Sequence, residues 1–320
     1  MPNDLVVIDN GFMTVHSPGS ERGRQAASKS KSFLTTSWVV NMSTAIFFFL
    51  RRSRLLIPTV GIVFIVACAE VPITHRHSLH LVPDSELMSL SYQQYNQVLH
   101  QSRLSTDTQK VGMVRRVGGR IAAAAETFLR EAGQGNTIKN YHWEFNLIED
   151  QKTVNAWVMP GGRAAVYTGI LRYTQDETGL AVVLGHEVGH AIAGHGNERM
   201  SQGLLAQLGG MALAVALSQK PQQTQSLFMT AYGAGATVGF LLPYSRLEES
   251  EADHIGLILM ARAGYDPRQA LPFWERMAKQ EGHNQPPELL STHPATQGRM
   301  EDIVKELPEA LKYYNAAPHP

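Results

Sequence analysis

His186-Glu187-Val188-Gly189-His190 places two imidazoles and a carboxylate within five residues. On an α-helix, positions four apart lie on one face about one turn apart, so both imidazoles can reach a single metal ion. Zinc held by two neutral His nitrogens needs one further protein ligand and keeps a position open for water. The Glu beside the first His is then placed as general base, and the chemistry is metal-assisted hydrolysis. The flanks at 180–184 and 191–193 are apolar on nearly all sides, which predicts a buried helix. Two His and a Glu in such a helix cost free energy unless they are paired or metal-bound. A surface helix with two solvated histidines fits those flanks poorly.

The third ligand sets the class. An H-E-x-x-H-x-x-G-x-x-H pattern needs His at position 196, which is Gly196, and His195 is one residue short. The other solution is a Glu from a later helix. The run from Ser245 and Arg246 through Glu248, Glu249, Glu251 and Asp253 supplies candidates. Glu249 and Asp253 stand four apart, on one helical face. Glu249 can ligate the metal while Asp253 accepts a hydrogen bond from a ligand His and fixes its tautomer. Glu248 and Glu251 point elsewhere on the wheel, toward solvent or toward outer support of the site. Taken alone, the acidic run reads as an exposed helix start; paired with the first motif, it reads as the other half of a metal site.

Four pieces of the chain, in order, resemble the gluzincin metallopeptidases of family M48, which include HtpX-type and Oma-type proteases and the CAAX prenyl endopeptidases. They are Asn155-Ala156 leading to Pro160-Gly161-Gly162; Gly185 through His190; Ser245-Arg246 with Glu249 and Ala252-Asp253; and Ser291-Thr292-His293-Pro294 with Arg299. Tyr244-Ser245-Arg246 and the Ser-Thr-His-Pro motif resemble the Oma-type branch in particular. The resemblance implies a zincin-type domain, α+β and mostly helical, with a small sheet whose edge strand lies over the zinc-site helix. It implies one zinc ion per chain, held by His186, His190 and Glu249, and peptide bonds as the substrate. It also implies that His293 approaches the metal, either as a donor to the oxyanion or as a fourth ligand that blocks water. Arg246 is the other candidate for the oxyanion, where a preorganised donor is needed.

At 320 residues the chain has room for one catalytic domain and a leader. The 28 basic and 28 acidic residues balance, so no basic surface points to nucleic acid. Residues 1–68 depart from that balance, with seven Lys/Arg against three Asp/Glu. Cys68 is the sole cysteine, which excludes an intramolecular disulfide and a cysteine-based zinc site. A lone Cys after apolar residues reads by itself as a buried core thiol, but its context differs. Arg51-Arg52-Ser53-Arg54 is a positive segment, and residues 55–67 are a 13-residue apolar stretch. That is short for a membrane span and the length of a signal-peptide core. Ile65-Val66-Ala67-Cys68 resembles a bacterial lipobox, which implies cleavage before Cys68 and diacylation of its thiol; two acyl chains suffice for stable anchoring. Residue 69 is Ala, not the Asp that resembles an inner-membrane retention signal, which points to the outer membrane, with the domain facing the periplasm. A translation start at Met42 would make that leader compact. The competing reading is a mitochondrial presequence, because residues 20–37 are rich in Arg, Lys and Ser with one acidic residue.

These boundaries divide the chain into a leader (1–68), a tether and N-terminal helix (69–106), the metallopeptidase domain (107–315) and a frayed tail (316–320). Residues 69–85, with two prolines and His75, His77 and His80, read as a solvated linker rather than a second metal site. Runs at 141–147, 154–159 and 164–171 read as strands, the last two joined through Gly161-Gly162 as a hairpin. Asn155-Ala156-Trp157 is the candidate edge for pairing with an extended substrate backbone. Residues 200–244 carry one charged side chain, Lys220. Neither apolar segment there, 204–217 or 227–242, reaches 18 uninterrupted apolar residues. The plain reading is a buried helical hairpin; the sharper one is a lid, or a patch that touches membrane or unfolded protein. Two function classes result. One is a zinc-dependent endopeptidase acting on unfolded or misfolded membrane proteins in envelope quality control. The other is a lipid-anchored chaperone or assembly factor with a gated zinc site. If Cys68 carries the anchor, Cys68→Ser moves the protein from the membrane to the soluble fraction on cell fractionation; an unchanged membrane fraction rejects the lipoprotein reading.

Overall fold

The computed structural model describes residues 8–9, 12–13, 68–236, 242–280 and 287–320. Residues 1–68 and 69–320 are separate units. In the first, Ile8–Asp9 (β1) pairs antiparallel with Phe12–Met13 (β2). The apolar stretch 55–67, the lipobox positions before Cys68, the Cys68 side chain, the presequence-like segment 20–37 and the Met42 start all lie outside the described residues.

The strand pair Cys68–Glu70 (β3) and His77–Leu79 (β4) leads into the helices Asp84–Gln101 (α1) and Thr108–Glu131 (α2). The Asp107 carboxylate accepts from the backbone N–H of Gln109 and Lys110, both at 3.1 Å, and so satisfies donors that the first turn of α2 leaves unpaired. Glu144–Ile148 (β5), Ala156–Met159 (β6) and Arg163–Tyr167 (β7) form a three-stranded sheet in the order β5-β7-β6. β7 runs parallel to β5 and antiparallel to β6. Gly161 and Gly162 turn the β6–β7 hairpin at φ 89° and 87°, a region open to residues without a Cβ. β6 is an end strand, with Asn155 directly before it.

Leu171–Thr174 (α3), Glu177–Ala193 (α4), His195–Leu217 (α5), Gln222–Ala236 (α6), Leu242–Arg262 (α7), Ala270–Ala278 (α8), Glu288–Thr292 (α9) and Gln297–Ala316 (α10) complete the described chain. Asp176 caps α4 by accepting from Gly179 N–H at 2.8 Å. The all-round apolar sequence of α4 is explained by its neighbours: α2, α7 and β6 all pack against it, and Leu180 through Ala193 are buried. α7 begins seven residues before Glu249, because Pro243 lies in its first turn, where a missing N–H costs nothing. The backbones of α4 and α7 touch. A Cβ on Gly185 would sit 2.9 Å from the Gly256 carbonyl oxygen, and one on Gly189 2.8 Å from that of Ala252.

Two sequence expectations need correction. Residues 69–82 are not a solvated linker. Val71 and Ser78 are buried, Leu81 N–H donates to Ser201 Oγ at 2.8 Å, and Asn197 Nδ2 donates to the Val82 carbonyl at 2.8 Å. Arg76 reaches Glu198 on α5 and Glu251 on α7, at 2.7 Å each. Proline and histidine content reads as linker; only the fold shows two buried carboxylates in need of a cation. The second correction concerns residues 200–244. The described part, 200–236, does form a helical hairpin, with Tyr232 Oη donating to the Ala206 carbonyl at 2.8 Å, but it is not buried. Beyond Ser201 and Gln202, Leu208, Met211 and Phe228 are exposed, as are Val215 to 74% and Leu227 to 68%. Polar and glycine positions interrupt the apolar sequence without interrupting the helix, so α5 is long and apolar enough to cross a membrane by length and composition. Absence of charge announces an apolar environment; it does not say that the chain itself provides one.

Arg76→Ala leaves two buried carboxylates uncompensated and lowers the unfolding free energy by about 3–5 kcal/mol. Chemical denaturation of the variant beside the parent protein measures it.

Candidate metal centre

Helix α4 presents His186 and His190 on one face, their rings 4.6 Å apart. α7 brings Glu249 against them: its carboxylate lies 3.3 Å from His186 Nε2 and 3.2 Å from His190 Nε2. The end of α9 adds His293, with Nδ1 2.9 Å from Glu249 and 3.1 Å from His186 Nε2. One donor atom from each of the four lies within 4.8 Å of the others. The edge of a tetrahedron with zinc–nitrogen bonds of 2.0–2.1 Å is about 3.3 Å, so three imidazoles and a carboxylate at these separations fit zinc. Glu187, beside the first ligand candidate, is buried, and its Oε1 has no hydrogen-bond partner. That oxygen lies 3.4 Å from His293 Nε2, facing the cluster.

The surroundings set the protonation. Burial opposes charge on Glu249, but His293 and His190 outweigh it and hold the carboxyl well below its usual range. Burial likewise drives His190 well below an ordinary imidazole, keeping it neutral. For His186, burial and Arg299 press downward while Asp253 and Glu249 prevail, raising it to about 9. Asp253 accepts from His186 Nδ1 at 2.9 Å, as the helical wheel requires. Arg299 on α10 grips both Asp253 oxygens at 2.7 Å and lies over the Trp274 ring, 3.4 Å from its centroid.

A model of peptidase family M48 matches residues 116–307, more than half of the chain. The chain belongs to peptidase family M48. Zinc is the metal of this family's proteases, in agreement with the donor set. Similar proteins include the mitochondrial metalloendopeptidase OMA1 of Schizosaccharomyces pombe, 38% identical over 174 residues, covering 54% of this chain and 49% of that protein. The mitochondrial metalloendopeptidase OMA1 of Homo sapiens is 33% identical over 257 residues, covering 78% of this chain and 48% of the relative. The beta-barrel assembly-enhancing protease of Escherichia coli is 28% identical over 179 residues, covering 54% and 36%. The chain thus spans about half or less of the length of the curated relatives it matches.

Of the residues singled out from sequence, the structure brings together His186, Glu187, His190, Glu249, Asp253 and His293. It does not bring in Arg246, which is exposed near the start of α7; the guanidinium at the cluster is Arg299, 3.4 Å from Glu249. Ala156 and Trp157 lie on the edge strand β6, and the Asn155 side chain bonds Glu288 on α9 at 3.2 Å. Glu248 and Glu251 are buried rather than solvated. Burial raises Glu248 to about 7 against the pull of Arg199. Burial also works against ionised Glu251, yet His195 and Arg76 bring it down to about 2. Arg76 escaped the sequence reading, and His195 entered it only as a histidine one residue short of a third-ligand position. Their only signal was a histidine just past the helix-ending Gly194 and a lone cation among the histidines of 75–80.

Glu249→Ala removes the carboxylate that all three imidazoles face and abolishes zinc binding, read as metal content after dialysis. Full occupancy would assign the ligand role to another acidic residue.

Proposed function

We propose that the chain is a zinc-dependent endopeptidase that cleaves misfolded or damaged membrane proteins at a membrane surface. The observation that carries this reading is the buried, unpartnered Glu187 oxygen set against a His-His-Glu donor set. When bound, zinc would supply Lewis acidity and bring the pKa of a water down to about 7. His186, His190 and Glu249 hold it. Glu187 Oε1 takes the proton of the attacking water and passes it to the leaving amine. An extended substrate pairs with the free edge of β6 next to Asn155, Ala156 and Trp157, which orients its backbone above α4. His293 is the side chain in reach of the developing oxyanion.

His293 also favours a second reading. As the fourth donor it makes a closed set, the pattern of a structural rather than a catalytic zinc site. In this arrangement the chain is gated, and hydrolysis requires α9 to carry His293 away. α9 is tied to the substrate edge, since Leu289 N–H donates to the Val154 carbonyl at 3.0 Å and Glu288 bonds Asn155. A permanently gated site would act as an assembly factor that binds clients without cutting them.

The exposed apolar α5–α6 hairpin suits work on membrane proteins, and contiguous exposed apolar surface marks interaction sites. Lipid anchoring through Cys68, facing the periplasm on the outer membrane, accounts for the lipobox-like segment. The mitochondrial relatives favour instead a presequence that includes residues 20–37 and a place at a mitochondrial membrane.

Glu187→Gln retains zinc and loses cleavage of casein by at least about 100-fold, the lower range for a general base. Retained, chelator-sensitive cleavage by that variant sinks the base assignment. Chelator-insensitive results for the parent protein, with no cleavage at all, favour the binding reading.

A further inference from the structure

His195 is fully buried two residues beyond the end of α4, and nothing in the proposed reaction uses it. Its Nδ1 lies 2.8 Å from His190 Nδ1, and its Nε2 lies 3.2 Å from a Glu251 oxygen. Glu251 in turn accepts from Arg76 Nη2 at 2.7 Å and from Arg76 Nε at 3.0 Å, and Thr74 Oγ1 donates to it at 2.5 Å. The other end of Arg76 is occupied by Glu198, at 2.7 Å.

These contacts determine proton positions. A carboxylate that already accepts from a guanidinium and a hydroxyl is an acceptor only. His195 must therefore donate to Glu251 from Nε2, which leaves its Nδ1 bare. A bare Nδ1 at 2.8 Å requires a proton on His190 Nδ1, and His190 Nε2 is then the lone pair turned toward His186 and Glu249. Arg199 Nη2 also lies 3.1 Å from His190 Nδ1. Were it the donor, His190 would carry its proton on Nε2, and His195 would turn a bare nitrogen on the Glu251 carboxylate. The first arrangement leaves the half-exposed Arg199, already held by Glu248, to turn its Nη2 to solvent, and leaves the His190 Nε2 lone pair free for a metal; the second sets two acceptors against each other at buried Glu251.

We propose that His195 is a positioning residue for the metal centre: it holds His190 in the one tautomer able to ligate, and Glu251, pinned by Arg76 from the segment at 74–79, holds His195. It rests on the zinc-site reading above. It extends that reading by making the N-terminal segment part of the site, so that the stretch just after Cys68 reaches a ligand through Arg76, Glu251, His195 and His190. Each metal-bearing helix histidine then has its own carboxylate on α7, Asp253 directly for His186 and Glu251 through His195 for His190.

The test uses the full chain, with zinc ions competed against a chromogenic chelator. Loss of such a support costs metal affinity about 10–100-fold, so His195→Phe weakens zinc binding by that factor. His195→Gln presents an acceptor and a donor on one planar group and stays within about threefold of the parent protein, short of the roughly tenfold loss expected without the support. Equal zinc affinity for the parent and the Phe variant, or equal losses in both variants, overturns the proposal. Long-range proton–nitrogen NMR on the metal-free parent protein needs no variant to fold. His195 protonated on Nε2 and bare on Nδ1 supports the relay; protonation on Nδ1 overturns it. Failure of the zinc-site reading shows itself separately, as no zinc binding by the parent protein.

Discussion

Contact between the backbones of α4 and α7 is the constraint on which the rest of the structure depends. Gly185 and Gly189 on one helix meet Gly256 and Ala252 on the other, and interfaces without side chains let two helices approach below the usual separation of 8–10 Å. His186 and His190 flank these positions on α4, while Glu249 and Asp253 flank them on α7. Side chains of modest reach can therefore converge from both helices. Any bulkier pair at the crossing would push the carboxylates away from the imidazoles, whatever the motif residues were.

The crossing has an electrostatic consequence. α7 carries Glu248, Glu249, Glu251 and Asp253 within six residues, and little of any of them reaches solvent. Such charges are tolerated only when each is matched. Each meets a different counter-group from a different element: Arg199 of α5 at Glu248, the three histidines at Glu249, Arg76 with His195 at Glu251, and Arg299 of α10 at Asp253. The metal centre is thus the middle of a charge network that joins five separated stretches of chain. This network explains why the segment after Cys68 folds back onto α5 instead of trailing free. It also explains why Arg299, 46 residues from Asp253 in sequence, belongs to the site.

Outside this core the chain is arranged for access. β6 leaves a strand edge free, α9 connects that edge to His293, and the α5–α6 hairpin extends apolar side chains into the surroundings. Elements with few buried contacts are the ones that open first, so the hairpin is the part able to move while the crossing stays rigid; α9 is held by buried Leu289 and Leu290.

Much of this was legible in the residues. The spacing of His186 and His190, the wheel position of Asp253 against Glu249 and the Gly161-Gly162 turn are local relations, set by helix and strand periodicity within a few residues. The hydrophobic flanks of α4 announced burial for the same reason. Tertiary structure alone decided the rest, because it depended on which distant groups share a space. No periodicity links Arg76 to Glu251 across 175 residues, distinguishes Arg299 from Arg246 as the guanidinium at the site, or says whether an uncharged hairpin is covered by its own chain. The motif determined what chemistry is available. The fold decided which side chains hold it in place and left His293 over its open position, since desolvation and charge pairing act through space rather than along the sequence.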